Sequence, residues 1–307
     1  MINTISKINS AIKTDAEGFV KSVENEYHTQ IKNVSETCIS KNIKIIMLAG
    51  PSGSGKTTTA HILRDYIRDN GLFCEVVSLD DFYLNPDQMP KGENGKPDFE
   101  TVYSLNIPEF NRCIKALQTD GESYMPIYDF KLGSKPNAKH LDIKNGGIVI
   151  IEGLHALNPV MIESIDKSSV LKMYISVNMP LLNDDGSVAL TSRQMRLMRR
   201  INRDSLYRGA DITRTLSLWT GVTEGERKHL YVFKDTADIQ ISTFHSFECS
   251  VLKENILKML STLPETAENY DYIIKAKSVL EKIETLNFEL LPQDSLIREF
   301  VPGGKYE

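Results

Sequence analysis

The segment at residues 50–57, GPSGSGKT, constrains the fold of this chain more than any other feature. It fits the pattern G-x4-G-K-[ST], with a short apolar run before it at residues 43–49 and a segment of helical periodicity after it at residues 57–68. Glycines in this pattern let backbone N–H groups turn towards a phosphate, and the N-terminus of the following helix adds positive potential. We therefore expect a strand, a phosphate-binding loop and a helix, with Lys56 at the terminal phosphates and the Thr57 hydroxyl on Mg²⁺. The expected phosphate-binding residues are Gly50, Ser52, Gly53, Ser54, Gly55, Lys56, Thr57 and Thr58.

Further apolar runs alternate with helical segments along the chain. They lie at residues 73–79, 148–151, 170–177 and 237–241. Strands that alternate with helices form a parallel sheet that is covered on both faces. We therefore predict an α/β fold of the P-loop NTPase type, with a mostly parallel sheet, helices on both faces and two long polar loops at residues 81–106 and 178–188.

The terminal segments differ from this alternating pattern. Residues 1–42 are polar with apolar residues at helical spacing, which predicts an N-terminal helical extension of one or two short helices outside the main domain. Residues 43–262 are expected to form the P-loop domain. Residues 263–307 are expected to form a C-terminal helical extension and tail, in which one helix face carries Ile273, Ala276, Leu280 and Ile283.

Charge and composition argue against several classes of protein. The 307 residues include 36 Lys plus Arg and 41 Asp plus Glu, and the net charge of −5 argues against non-specific nucleic-acid binding. The sequence contains neither a signal-peptide pattern nor the run of about 18 apolar residues that a membrane span needs, so we expect a cytoplasmic protein with no membrane partner. The widely spaced cysteines predict buried thiols rather than a zinc site or disulfides: Cys38, Cys74, Cys113 and Cys249.

Acidic residues follow two of the predicted strands. Asp80 and Asp81 come directly after the strand at residues 73–79, and Glu152 follows the strand at residues 148–151. Ligands of open α/β sheets bind at the carboxyl ends of the strands. Phosphoryl transfer to an alcohol uses a carboxylate that accepts the hydroxyl proton, and Mg²⁺ takes oxygen ligands. We expect Asp80 to be that base or to position the metal, although both acids of the pair could instead cap the following turn. The expected metal ligands are Thr57, Asp80 and Glu152.

An unusual number of arginines lies between residues 193 and 214. These are Arg193, Arg196, Arg199, Arg200, Arg203, Arg208 and Arg214. On a helix, the first five fall within an arc of about 120°. Charged faces are usually solvated, but phosphoryl transfer uses guanidinium groups to neutralise the transferred phosphate. We therefore predict an Arg-rich helical lid at about residues 190–215, which would supply arginine during transfer and exclude water.

The phosphate loop alone leaves the reaction open, because GTPases, ATPases and small-molecule kinases share it. The guanine-reading motif NKxD is absent from the sequence, which argues against a GTPase. The remaining motifs favour the third class. Together they resemble the phosphoribulokinase/uridine kinase family of P-loop kinases. The motifs that carry this resemblance are GPSGSGKTT at 50–58, SLDDFY at 78–83, PD at 97–98, YDF at 128–130, IEGLHALN at 151–158, RRINRDSLYRG at 199–209 and TAD at 236–238.

These motifs occur in consistent order across residues 43–262, and DSLIREFVPGG at 294–304 resembles the C-terminus of a bacterial uridine kinase-like branch. The resemblance implies that Asp80 is the catalytic base, with Lys56 and Arg203 in the catalytic set. It also implies that Asp98 holds the ribose 2′ and 3′ hydroxyls, and that Arg203 and Arg208 hold ATP phosphates. The implied substrate-binding residues are Asp80, Tyr83, Asp98, Tyr128, Phe130 and Arg200.

The reaction implied by the resemblance is Mg²⁺-dependent transfer of the γ-phosphate of ATP, or GTP, to the 5′-hydroxyl of uridine or cytidine. The partner would be this small-molecule nucleoside, and a homo-oligomer is left open. Two positions depart from the family pattern: Gly133 replaces a base-contacting His, and Ala210 replaces an Arg. Another nucleoside or a sugar phosphate is therefore an alternative acceptor, and an ATP-binding regulatory protein with weak catalysis is an alternative of another class. His155 is interpreted as structural.

Overall fold

The computed structural model describes residues 2–92, 95–163 and 165–306. Its strands are, in chain order, β1 (Ile45–Ala49), β2 (Phe73–Ser78), β3 (Glu122–Asp129), β4 (Ser134–Asp142), β5 (Gly147–Glu152), β6 (Val170–Ser176), β7 (Leu181–Leu182), β8 (Val188–Leu190) and β9 (Ile239–Ser242). Its α-helices are α1 (Ile5–Ser40), α2 (Lys56–Asp69), α3 (Ile107–Thr119), α4 (Pro159–Ile162), α5 (Ser192–Tyr207), α6 (Ile212–His229), α7 (Glu248–Ser261) and α8 (Tyr270–Leu280).

Five strands form the central sheet, in the order β2–β5–β1–β6–β9, and every pairing in it is parallel. The two faces of β1 enter different apolar clusters, because successive side chains of a strand point to opposite faces. Ile46 and Leu48 join one cluster, and Ile45 and Met47 join the other. The sheet is thus buried on both sides, which confirms the predicted α/β fold. All five predicted strands are present, with ends that differ by one or two residues.

The N-terminal segment is helical, as predicted, and its apolar residues pack against the main core. It forms α1, 36 residues long, in which two helical parts meet at a kink where the backbone angles of Asp15 are not helical. The Asp15 side chain accepts the N–H of Gly18, so it caps the helix that resumes after the kink. Apolar residues of α1 share one cluster with the sheet and α2, and the Tyr27 hydroxyl lies 2.7 Å from the Thr59 hydroxyl. The helix is therefore part of the main core.

A β-hairpin was not predicted. Strands β3 and β4 pair antiparallel, with an irregularity between Ile127 and Asp129. In the first half of β3, the buried Ser123 and Met125 flank Tyr124, which is exposed. Of the predicted polar loop at residues 81–106, the positions 93 and 94 lie outside the described residues.

The C-terminal segment packs onto the same core. The predicted apolar face of α8 is confirmed, since Ile273, Ala276 and Leu280 are buried, and so is Ile283 just beyond the helix. The tail then folds into two 3-10 turns, Phe288–Leu290 and Leu296–Phe300. A single apolar cluster includes residues from both terminal segments, while the division at residues 42 and 262 stays a prediction.

The cysteines agree with their predicted role, because all four are buried free thiols. Burial raises the pKa of the Cys38 and Cys74 thiols to about 12. None of the helices in the described ranges is both long enough and apolar enough to cross a membrane.

Candidate active site

The phosphate loop connects the central strand β1 to α2. Gly53 and Gly55 have φ angles of +73° and +85°, in the left-handed region that favours glycine. A Cβ at Gly53 would lie 2.7 Å from the carbonyl oxygen of Arg196, and one at Gly55 would lie 2.7 Å from Leu296. The two glycines therefore permit both the turn and the close packing around it. Gly55 is also the N-cap of α2, so the loop ends at a helix N-terminus as predicted.

Two buried arginines of α5 brace this loop. Arg196 donates to the Ser52 carbonyl at 2.7 Å and forms a two-pronged ion pair with Glu226, at 2.8 and 2.9 Å. The same Glu226 accepts the Ser52 N–H at 2.8 Å. Arg199 pairs with Glu248 and donates to the Gly53 carbonyl at 3.3 Å. Each buried guanidinium thus has a buried carboxylate partner, as charges inside a protein require.

These contacts correct the predicted arginine face. Arg196 and Arg199 hold the backbone of the loop and are buried, so they are not free to clamp a phosphate. Arg193 and Arg214 are exposed. Nine of the sixteen residues of α5 are buried, so the predicted lid region contains a packed helix. Arg200, Arg203 and Arg208, which the resemblance implies at the substrate and the ATP phosphates, line the cavity at the loop.

The cavity has a volume of about 250 Å³. Charged and polar groups dominate its wall. Its lining residues include Ser52, Gly53, Gly55, Lys56, Thr57, Asp80, Tyr83, Glu100, Glu152, Arg200, Arg203, Arg208, Glu226 and Glu299. Gly50, Ser54 and Thr58 belong to the same loop and helix start but are not among the lining residues found within the described chain.

Two acids enter the cavity from neighbouring strand ends. Ser78, the last residue of β2, pairs with Glu152, the last residue of β5, and Glu152 also pairs with Leu48 of β1. Asp80 follows β2 in a 3-10 turn, and its own N–H donates to the Ser78 hydroxyl at 3.3 Å. Burial raises the pKa of Asp80, and the charges of Lys56 and Arg208 oppose that shift. The sheet register therefore brings both carboxylates beside the phosphate loop.

The residues expected to hold Mg²⁺ lie together. The Thr57 hydroxyl is 3.4 Å from Glu152 Oε1. Burial raises the pKa of Glu152 to about 7, while Lys56 lowers it, so a further cation would stabilise its charged form. No cluster of three or more His, Cys, Asp or Glu in the described ranges could hold a metal by itself. Magnesium usually takes one or two protein oxygens together with substrate phosphates and water, and Thr57 and Glu152 fit that requirement.

Aromatic side chains group beside the acids. The ring of Tyr83 lies within 6.2 Å of the rings of Phe99, Tyr128 and Phe130, measured between centroids. The hairpin that carries Tyr128 is fixed by Asp81, whose carboxylate accepts the Tyr128 N–H at 3.1 Å. Asp81 therefore positions the hairpin, and the structure separates its role from that of Asp80.

The two acids of the loop before α3 have different surroundings. Asp98, the residue expected to hold ribose, accepts the Glu100 N–H through its carboxylate at 3.0 Å. Within the described part of the chain, the cavity wall includes Glu100 and not Asp98. Burial raises the pKa of Glu100 to about 7, and Arg200 opposes the shift. His155 is buried close to the His229 ring, and burial lowers its pKa to about 4, which fits its structural interpretation.

Four functional candidates were not singled out from the sequence: Glu100, Asp204, Glu226 and Glu299. Asp204 had a local signal, because it lies four residues from both Arg200 and Arg208, and it pairs with each of them and with Arg203. Glu226 and Glu299 reach the site from distant segments. Glu299 accepts the Thr58 hydroxyl at 2.9 Å and lies 3.8 Å from Arg203. Only the tertiary fold reveals such contacts.

A parallel sheet whose central strand leads through a phosphate loop into a helix defines the class of P-loop nucleoside-triphosphate-binding proteins. Residues 45–248 match the phosphoribulokinase/uridine kinase family, and the chain belongs to that family. This confirms the resemblance carried by the motifs.

Two sequence relatives, both named uridine kinase, agree with this family. The uridine kinase of Schizosaccharomyces pombe is 31% identical over 179 residues, which cover 57% of this chain and 35% of that protein. The uridine kinase of Lactobacillus johnsonii is 25% identical over 173 residues, which cover 56% of this chain and 73% of that protein. The chain thus spans about a third of the first relative's length and about three quarters of the second's. Among solved structures, a possible uridine kinase from Bacillus stearothermophilus aligns with a TM-score of 0.47 at 14% identity, over 71% of this chain and 100% of that chain.

Proposed function

We propose that this protein transfers the γ-phosphate of ATP, or GTP, to the 5′-hydroxyl of a pyrimidine ribonucleoside, uridine or cytidine, with Mg²⁺. The observation that carries the proposal is the convergence of Lys56, Asp80 and Arg203 on one cavity beside a group of aromatic rings. Relatives named uridine kinase support a nucleoside as the acceptor.

Asp80 is proposed as the base. Phosphoryl transfer requires that the acceptor hydroxyl lose its proton as the new P–O bond forms, and a carboxylate within hydrogen-bond reach can accept it. The raised pKa of Asp80 makes its carboxylate a better proton acceptor, and Lys56 nearby keeps the charged form accessible. The proton moves from the 5′-oxygen to an Asp80 oxygen while the phosphoryl group moves from the donor to that 5′-oxygen.

The remaining polar groups are proposed to stabilise negative charge. Lys56 and the backbone N–H groups of the loop bind the donor phosphates, and Arg203 and Arg208 neutralise charge on the transferred group. Thr57 and Glu152, with Asp80 nearby, would hold Mg²⁺, which supplies charge neutralisation between the donor phosphates when bound. Gly50, Ser52, Gly53, Ser54, Gly55 and Thr58 complete the proposed phosphate-binding set.

The acceptor is proposed to lie between the acids and the aromatic rings. Tyr83, Tyr128 and Phe130 offer faces on which a base can stack, and Arg200 faces the nucleoside. Asp98 remains the proposed acid for the ribose hydroxyls, because two vicinal hydroxyls suit two carboxylate oxygens. Glu100 lines the cavity next to it and is a second candidate for that role.

The first experiment is ATP consumption by the purified protein with Mg²⁺, measured with uridine, cytidine, 2′-deoxyuridine, purine nucleosides and sugar phosphates. Turnover with uridine or cytidine, reduced with 2′-deoxyuridine, supports both the acceptor class and the ribose contact. Turnover with a sugar phosphate only would contradict the nucleoside assignment. ATP binding without turnover on any acceptor would favour the regulatory protein.

A different nucleoside is the second candidate acceptor, and Gly133 favours it. A Cβ at this position would lie 3.9 Å from the Tyr128 hydroxyl, so residue 133 borders the aromatic group where a family member carries its base-contacting His. The glycine, at φ +62°, leaves that side of the base without the imidazole. The same panel tests this candidate, since a larger purine base would then be accepted.

A further inference from the structure

One acid in the wall of the cavity at the phosphate loop comes from the C-terminal tail. Glu299 lies in the 3-10 turn Leu296–Phe300, outside residues 45–248, the segment that matches the family. A carboxylate close to bound phosphates repels them unless a cation neutralises its charge. A role for Glu299 in the reaction therefore depends on the cations that it faces.

The turn that carries Glu299 is held on two sides. On the side of α5, the buried Phe300 ring lies 5.3 Å from the guanidinium carbon of Arg199, and the Phe300 carbonyl accepts Asn202 Nδ2 at 3.3 Å. On the other side, the buried Leu296 packs against the phosphate loop. Because these contacts fix the backbone of the turn, the Glu299 carboxylate has little freedom to move.

The two carboxylate oxygens of Glu299 have different partners. Oε2 accepts the hydroxyl of Thr58, in the first turn of α2, at 2.9 Å. Oε1 lies 3.8 Å from Nη1 of Arg203, which is its one ion-pair partner in the described parts of the chain. The side chain therefore connects the helix after the phosphate loop to a guanidinium of the cavity wall.

The other edge of the Arg203 guanidinium faces Asp204. Nε and Nη2 donate to Oδ1 of Asp204, at 3.2 and 3.0 Å. Asp204 also pairs with Arg200 and Arg208, at 3.2 and 3.7 Å, so three guanidinium groups share one carboxylate. Glu299 faces the remaining nitrogen, Nη1. The guanidinium is thus held from two edges, and a group that stabilises transition-state charge is most effective when it is oriented in advance.

Anchoring of the tail does not require Glu299. The neighbouring Arg298 donates to two carbonyls of the tail, and the Ser295 hydroxyl donates to Glu24 of α1. The pair between Glu299 and Arg203, at 3.8 Å and with both side chains partly exposed, adds little to stability, as is usual for such pairs. The position of Glu299 therefore bears on the cavity more than on the stability of the fold.

We propose that Glu299 is a positioning residue, which holds the guanidinium of Arg203 at the transferred phosphate and so makes phosphoryl transfer depend on the C-terminal tail. The proposal rests on the part of the proposed function in which Arg203 neutralises charge on that phosphate. Arg203 contacts the reacting group, and Glu299 acts through Arg203.

The test is a double-mutant cycle on kcat. Glu299→Gln, Arg203→Ala and the double variant are compared with the unmodified chain, with ATP, Mg²⁺ and the acceptor of the panel that turns over fastest. Glu299→Gln keeps an oxygen for the Thr58 hydroxyl but removes the charge that faces Arg203. We expect it to lower kcat by about tenfold, because small misplacements of a catalytic group have effects of this size, and to leave KM for ATP within about threefold. In the Arg203→Ala background, it should change kcat by less than about twofold.

Two controls separate positioning from a structural role. Glu289→Gln removes one negative charge from the other 3-10 turn of the tail, where Glu289 is exposed, and should leave kcat unchanged. The denaturant midpoint of Glu299→Gln should match that of the unmodified chain. An unchanged kcat in Glu299→Gln would overturn the proposal. Equal losses with and without Arg203 would also overturn it, and so would a loss that is accompanied by a lower midpoint.

The cycle also distinguishes this proposal from the proposed function. Because it uses whichever acceptor turns over, a wrong nucleoside assignment leaves the result intact. Transfer by the unmodified chain together with one of the overturning results would contradict the role of Glu299 alone. Absence of transfer to every acceptor and to water would contradict the proposed function, and the role of Glu299 with it.

Discussion

The side chains on the two sides of the cavity at the phosphate loop take their positions in different ways. On the strand side, Asp80 and Glu152 take their positions from the register of neighbouring parallel strands, so their place in the sequence determines their place in the cavity. On the side of α5, arginines that share one face of the helix lie in different environments. Arg196 and Arg199 are buried under the loop, while Arg200 and Arg203 line the cavity.

The difference lies in the partners. A strand end meets its neighbours at one edge of the sheet, and no further information is needed to place it. A buried arginine requires a carboxylate, and the acids that meet Arg196 and Arg199 come from α6 and α7, about 30 and about 50 residues further along the chain. The helix periodicity gives the angular position of each arginine but not the presence of these acids.

The largest effect is expected on the strand side. Asp80→Asn should lower kcat by about 10³-fold, because the variant cannot accept the hydroxyl proton. ADP binding should stay within a few-fold, since the loop is unchanged. The measurement is steady-state kinetics together with ADP calorimetry. Asp81→Asn is the matched control: its contact is with the Tyr128 backbone, so it should affect kcat far less. Equal losses in both variants would remove the distinction between the two acids.

The buried arginines should respond in stability rather than chemistry. Arg199→Met leaves Glu248 buried without its charged partner, which should lower the free energy of unfolding by about 4 kcal/mol. Chemical denaturation measures this change. The double variant Arg199→Met with Glu248→Leu should recover part of the loss, because no isolated charge remains. An unaltered unfolding free energy in the single variant would show that the pair does not support the loop.

The cavity arginines should show the reverse pattern. Arg203→Ala should lower kcat by about 10²-fold, as removal of a group that stabilises transition-state charge does, with little change in unfolding. Asp204 would still have Arg200 and Arg208 as partners. Arg193→Ala, on the exposed part of the same helix, is the control and should leave both quantities unchanged. A large fall in stability with kcat intact would place Arg203 with the structural group.

The sequence supported the prediction of the sheet, the phosphate loop and the strand-end acids for a physical reason. Each depends on local patterns, such as the apolar run before Gly50 and the acid two residues after the end of β2. The contacts of Glu226 with Ser52 and of Glu299 with Thr58 could not be predicted, because they join residues more than 170 positions apart. The hairpin β3–β4 was also missed, because the alternation of apolar and polar residues along its strands is weak.

The smallest effect is expected on KM, in variants of Asp98 and Glu100, the two acids of the loop before α3. The motif assigns the ribose hydroxyls to Asp98, whereas the cavity wall contains Glu100. The Glu100 side chain lies close to α6, because a Cβ at Gly225 would be only 2.7 Å from its carboxylate. If Glu100 holds the acceptor, Glu100→Gln should raise KM for the nucleoside by about tenfold and change kcat little, because a lost hydrogen bond to a charged group weakens binding by about that factor. Asp98→Asn, which keeps an oxygen for the Glu100 N–H, is measured beside it, with uridine and 2′-deoxyuridine as acceptors. A KM that rises only in Asp98→Asn, and only for the ribonucleoside, would return the ribose contact to Asp98. A KM that rises in Glu100→Gln would instead show the same division of roles as in Asp80 and Asp81. The acid that lines the cavity would contact the substrate, and the acid beside it would accept a backbone N–H.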